Sequence, residues 1–166
     1  VPKLSIVAAA ALLSACGGSG SFTPATQVAD ICSLLALSDV QTILPTAMDG
    51  TPQATLSTND IFSQECDWND SSTSSAMAVT LVIEGALTAQ GASEINIVVG
   101  ADQGSTQHMA VSGLGDRAEY INFTGTDQLL GARTRSYLVD VTVYLFTPDV
   151  TEAQLQPLVA KAVNAL

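Results

Sequence analysis

Residues Tyr137 to Phe146 read Tyr-Leu-Val-Asp-Val-Thr-Val-Tyr-Leu-Phe, and this alternation constrains the fold more than any other stretch of the chain. Successive side chains of a strand point to opposite faces, so a period of two marks an extended segment with one apolar side. Val139, Val141, Val143 and Leu145 fall on one face, and Asp140, Thr142 and Tyr144 on the other. One buried and one wetter face means an antiparallel sheet covered on one side.

Other segments repeat the pattern. In Gln64–Asn69, Cys66 and Trp68 share a face. After the polar turn Asn69–Ser75, the residues Met77, Val79, Leu81 and Ile83 alternate with Ala78, Thr80, Val82 and Glu84. These two segments are expected to pair as a hairpin. Ala118–Thr124 and Gln128–Arg135 are expected to pair across a turn at Gly125-Thr126-Asp127. Thr46–Asn59, punctuated by Gly50 and Pro52, reads as a loop or a weak strand. Ser93–Gly100 fits either a strand or a helix capped by Ser93, because short apolar runs are not settled by period.

Two helices frame the strands. Residues 37–45 carry a Ser38-x-x-Gln41 capping box, an apolar face of Val40, Ile43 and Leu44, and a stop at Pro45. Thr151-x-x-Gln154 starts a terminal helix with the stripe Leu155, Leu158, Val159, Ala162, Val163 and Leu166. Pro157 inside it predicts a kink or a restart. The order predicts a single α+β domain over residues 30–166, an antiparallel sheet with helices packed on one face.

Ahead of this domain, Lys3 precedes an apolar run from Leu4 to Leu13, and Leu13-Ser14-Ala15-Cys16 follows. A secretory leader needs a basic start, roughly 7–15 apolar residues and small residues at the cut. The run falls short of the about 20 apolar residues of a transmembrane helix. The four residues ending at Cys16 resemble the bacterial lipobox. That resemblance implies a signal peptide over residues 1–15 and acyl chains, palmitate among them, on Cys16. Two or more chains anchor a protein stably to a membrane. Gly17-Gly18-Ser19-Gly20-Ser21 then predicts a flexible tether over residues 16–29.

With Cys16 acylated, Cys32 and Cys66 are the two remaining cysteines. In an oxidising compartment such a pair is expected to form a structural disulfide. They lack C-x-x-C spacing and the four ligands of a closed zinc site. Sixteen acidic residues follow Cys16 against Arg117, Arg133, Arg135 and Lys161. That balance argues against nucleic acid, which is gripped by Lys and Arg, and against an electrostatic hold on anionic lipid.

Cys32-Ser33-Leu34-Leu35, the capped helix, Cys66-Asp67-Trp68 and Val111-Ser112-Gly113-Leu114-Gly115-Asp116-Arg117-Ala118 together resemble a class of actinobacterial envelope lipoproteins. The layout is also similar to the extracellular sensor domain of some mycobacterial receptor serine/threonine kinases. The resemblance implies a Cys32–Cys66 bridge and an antiparallel sheet flanked by helices. It brings no catalytic residues.

No constellation of a known chemistry stands out. His108 is the single histidine, and it reads as a surface residue. There is no G-x-S-x-G elbow, and Gly125–Gly131 lacks the Lys-Ser/Thr of a phosphate loop. Asp116 and Glu119 flank Arg117, as in a surface ion cluster. Asp67-Trp68-Asn69-Asp70-Ser71 offers oxygen ligands for calcium but lacks the mid-loop glycine and terminal glutamate of an EF-hand, so no metal and no cofactor is expected. Arg133 and Arg135 alternate onto one strand face, where they are read first as neutralising nearby carboxylates of this acidic chain and second as a clamp for an acidic ligand. Trp68 is read as core against the disulfide, with ligand stacking as the second reading. The expectation is a lipid-anchored, non-catalytic cell-envelope module. It would be held at the membrane through Cys16 and bind an envelope protein or a small ligand. A sensor-like or small-molecule-binding domain is the alternative.

Overall fold

The computed structural model describes residues 21–70, 78–95, 105–123, 127–144 and 150–166. The leader, Cys16, the glycine-rich start of the tether, the turn at 71–75, Met77, residues 96–100, Gly125-Thr126 and Leu145–Asp149 lie outside the described residues.

The alternating segments form strands where expected. Described strands are β1 (Thr51–Pro52), β2 (Leu56–Ser57), β3 (Ile61–Asn69), β4 (Ala78–Ala86), β5 (Ser105–Val111), β6 (Arg117–Phe123), β7 (Asp127–Thr134) and β8 (Tyr137–Tyr144). They make one antiparallel sheet in the order β1-β3-β4-β8-β7-β6-β5, with β2 also on β3. Helical pieces are a 3₁₀ turn (Ile31–Leu34), α1 (Leu37–Val40), α2 (Ala89–Glu94) and α3 (Glu152–Asn164).

Register assigns the faces. Cys66 pairs with Leu81, Leu81 with Val141, Val141 with Leu130, and Leu130 with Tyr120, so these five share the inner face. All five are essentially closed to solvent and belong to one apolar cluster with Leu155, Leu158, Val159 and Ala162 of α3. Each such side chain contributes about 1.5–3 kcal/mol relative to exposure. α3 lies against β7 and β8. Tyr120, buried beneath it, donates its hydroxyl hydrogen to the Val150 carbonyl at 2.7 Å. Cys32 and Cys66 are joined by a disulfide, with Cα atoms 5.4 Å apart. It fastens the 3₁₀ turn to the same face.

α2 belongs to the reverse face. Leu138 pairs with Glu84, and Ala86 lies two residues beyond Glu84, out of phase with Ile83 and Leu81. Both cluster with Ile95 and Ala92, at the end of α2. Helical elements therefore lie against both faces, and the one-sided arrangement expected from the sequence does not describe α2. Its cap is Thr88, whose hydroxyl oxygen accepts from the Gly91 N–H at 3.1 Å, and the strand-or-helix choice for Ser93–Gly100 falls mostly outside the described residues.

Three further expectations are corrected. α1 is capped at Ala36 rather than Ser38, and the Asp39 carboxylate accepts the Ala36 N–H at 2.8 Å. α3 is continuous from Glu152 to Asn164, so the chain does not restart at Pro157, and the Gln154 side chain accepts the Thr151 N–H at 3.0 Å. The later part of the expected tether is docked. Ala25 N–H donates to the Ala86 carbonyl at 2.8 Å. The buried Gln64 amide grips Val28 in both directions, accepting its N–H and donating to its carbonyl, each at 2.8 Å.

Candidate functional site

The reverse face carries the charge that the apolar inner face excludes. Across its middle run Glu65, Val82, Asp140, Gly131, Glu119 and Ala110, paired in register from β3 to β5. Glu84 and Arg133 lie in the next row, on either side of Leu138.

On β6 and β5 the charges are matched. Glu119 is buried, and Arg117 donates to its Oε1 from Nε at 2.8 Å, with a second contact through Nη2. His108 Nε2 lies 2.9 Å from Glu119 Oε2. Burial raises the Glu119 carboxyl, but the hydrogen bonds from His108 and Arg117 outweigh it and hold the group below its ordinary value. With that carboxylate ionised, Nε2 carries the hydrogen and donates it. His108 is therefore not the isolated surface residue expected. Hairpin pairing about the Ser112–Asp116 turn sets it diagonally across from Glu119. The expected grouping of Asp116 with Glu119 is not present, because Asp116 Oδ2 accepts the Arg135 N–H at 2.8 Å in the neighbouring turn.

On β4 and β8 the charges are unmatched. Asp140 Oδ1 is buried and accepts no hydrogen bond. Burial, reinforced by the nearby Glu84 charge, pushes the Asp140 carboxyl up to about 7. Burial also raises Glu84. Glu65 is raised by burial and by Asp67 beside it. Both Asp67 oxygens are engaged, one by the Thr80 hydroxyl at 2.6 Å and one by the Gln53 amide at 2.8 Å. Among the described residues no three His, Cys, Asp or Glu side chains come together as a metal centre.

The two arginines expected to act together are separated. Arg133 ends β7 and donates to the Ala92 carbonyl of α2, tying that helix to the sheet. Arg135 is in the turn after β7, with φ of 50°, and is not on the strand face. It lines a shallow cleft of about 480 Å³ with Asp116, Tyr137 and the end of α3. Neither arginine forms an ion pair with a described carboxylate.

Trp68 is 1% exposed, so its ring offers no face to a ligand and the stacking reading is set aside. The Gly50 backbone covers both Trp68 and the Cys66 sulfur. Beside this lid is a second hollow of about 450 Å³, bordered by Asp30, Cys32, Gln53 and Gln64. Comparison with protein-family models, curated proteins and solved structures returns no match.

Proposed function

We propose that the chain is an extracytoplasmic, lipid-anchored and non-catalytic interaction module of the bacterial cell envelope. The observation that carries this reading is the Cys32–Cys66 disulfide. Such bonds persist in oxidising compartments and are rare where thiols are kept reduced. In a chain with three cysteines this pairing leaves Cys16 as the remaining thiol, at the end of the lipobox-like stretch. The membrane is reached through acyl chains on Cys16, because the acidic body has little to offer an anionic surface. Among the described residues no helix is long and apolar enough to cross a membrane.

The non-catalytic part of the reading rests on the reverse-face cluster. His108 and Glu119 resemble the base and orienting group of a hydrolase. No described Ser, Thr or Cys is bonded to the imidazole, and Arg117 holds Glu119 from the other side. That is the arrangement of an ion cluster. The resemblance to actinobacterial envelope lipoproteins and receptor-kinase sensor domains supports a sensor-like module as the alternative.

The test is metabolic labelling. The full chain is expressed in a bacterium fed an alkyne analogue of palmitate, beside Cys16→Ala. Label in the membrane fraction that disappears with Cys16→Ala supports the reading. An unlabelled wild-type chain, or one recovered from the cytosol with Cys32 and Cys66 reduced, overturns it.

A further inference from the structure

The sheet treats its two edges differently. Along β3 the outer edge is occupied by the two-residue strands β1 and β2, and Pro52 lies in β1. Proline has no N–H to offer a further strand, and strands of two residues give little length to pair with, so that edge is blunted. The opposite edge is β5, which among the described residues is bonded to β6 alone. Alternate residues of an edge strand turn their N–H and C=O groups outward. β5 contains neither proline nor lysine, the residues that usually blunt such an edge. Gln107, His108, Met109 and Ala110 are all exposed. Its pairing with β6 slips between Ser105 and Gln107 and is regular from Gln107 to Val111, a span of roughly 16 Å at 3.3 Å per residue.

A groove accompanies this edge on the inner side of the sheet. α3 packs on β7 and β8. Two adjoining hollows, of about 340 and 290 Å³, open between its first turns and β5, and both are bordered by Met109 and Glu152. Met109 is 38% exposed beside the buried Tyr120 ring. Glu152 has no cationic partner among the described residues. A strand laid along β5 would turn every second side chain into this groove. An apolar residue would meet Met109, and a cation would meet Glu152.

We propose that the β5 edge and the groove beside α3 form a docking site for an extended segment of a partner protein, added to the sheet as a strand and carrying apolar and basic residues. This deepens the interaction-module reading and rests on it for the existence of a partner. Charge selects the occupant. A second copy would bring another net charge of −11 and another Glu152 to the same edge, whereas a basic segment lowers the repulsion.

The experiment uses the full chain and a synthetic lysine-flanked heptapeptide of alternating valine and threonine, read by amide hydrogen exchange. The expected result is about tenfold slower exchange over residues 107–111, with the other elements unchanged. A glutamate-flanked peptide, and one N-methylated at alternate residues, give no such slowing. Glu152→Gln weakens binding of the lysine peptide by about threefold. Protection of β5 that is equal for both charges, or absent at millimolar peptide, overturns the proposal. So does protection that rises with protein concentration alone, which would assign the edge to a second copy. The labelling of Cys16 is a separate readout, so either reading can fail while the other stands.

Discussion

Cys66 and Trp68 stand two residues apart on the inner face of β3, and the main chain at Gly50 closes over both. A Cβ built on Gly50 would lie 2.6 Å from Cys66 Sγ and 2.8 Å from Trp68 Cε2 and Nε1. The disulfide, the one tryptophan and a glycine from a distant loop thus form one packed unit. Three parts of the chain meet there: the 3₁₀ turn through Cys32, the central hairpin through β3, and the segment leading into β1. The position of Gly50 is a matter of space, since no larger residue fits between that backbone and the indole.

Gly50→Ala is therefore expected to destabilise the fold by about 1–3 kcal/mol, the range for overpacking a filled site. Neither the sulfur bridge nor the indole is the free end of a flexible chain that could swing away. Urea unfolding of the variant measures it. A midpoint equal to wild type would mean the loop lifts at no cost, and the packed unit would lose its meaning.

Opening the bridge acts on the unfolded chain. Cys32 and Cys66 are 34 residues apart, and in the loop-entropy model a closure of this length contributes about 4 kcal/mol. Joint replacement of Cys32 and Cys66 by serine should lower the unfolding free energy by an amount of that order. A reductant should do the same to wild type and leave the double variant unchanged. Sensitivity of the double variant to reductant would point to a second redox group and refute the assignment.

Asp140 makes stability fall toward alkaline pH. Its folded value of about 7 stands above the ordinary 3.8, so the folded chain holds this proton more tightly than the unfolded one. Its contribution is full below about 3.8 and is lost as pH climbs through 7. The difference caps the effect at ~4 kcal/mol. Glu84 and Glu65 act in the same direction, while Glu119 and Asp39, both lowered, lose stability as pH falls. Asp140→Asn should raise the unfolding free energy at pH 8 by ~2–4 kcal/mol and change it little at pH 4. Unfolding curves at the two pH values decide it, and an equal effect at both would remove the titration from the explanation.

Much of the sheet was legible because β3, β4 and β8 bury one face and alternate accordingly. The disulfide followed from counting cysteines. β5 was not legible, because an edge strand exposed on both sides has no apolar period, and Gln107-His108-Met109-Ala110 reads as loop. The His108–Glu119 contact was hidden for the same reason, although the symmetric spacing about the Gly113-x-Gly115 turn carried the register. α2 is short, contains Gly91 and is held by tertiary contacts to Asp60 and Arg133, which no local pattern announces. The docking of Val28 by the Gln64 amide is a match between distant residues in a segment whose composition suggested a tether. Half-buried Asp140 sat at a position the alternation marked as wet, and only the packing of the reverse face shows that its Oδ1 is closed off without a hydrogen bond.

Pro157 tests how far packing overrides propensity. At the sixth position of α3 it supplies no N–H for the Ala153 carbonyl, and in a helix interior proline is about 3 kcal/mol worse than alanine. The helix nonetheless continues, because Leu155, Leu158, Val159 and Ala162 are buried on the sheet on either side of it. Pro157 is itself exposed, so its replacement removes no core contact. Pro157→Ala should therefore stabilise the fold by about 1–2 kcal/mol, the propensity gain being partly offset by the greater freedom alanine gives the unfolded chain. Thermal unfolding with the disulfide intact in both chains measures it. A loss of stability instead would show that the ring packs in a way the exposed position does not suggest, or that the missing hydrogen bond is required for the seating of α3 on β7 and β8.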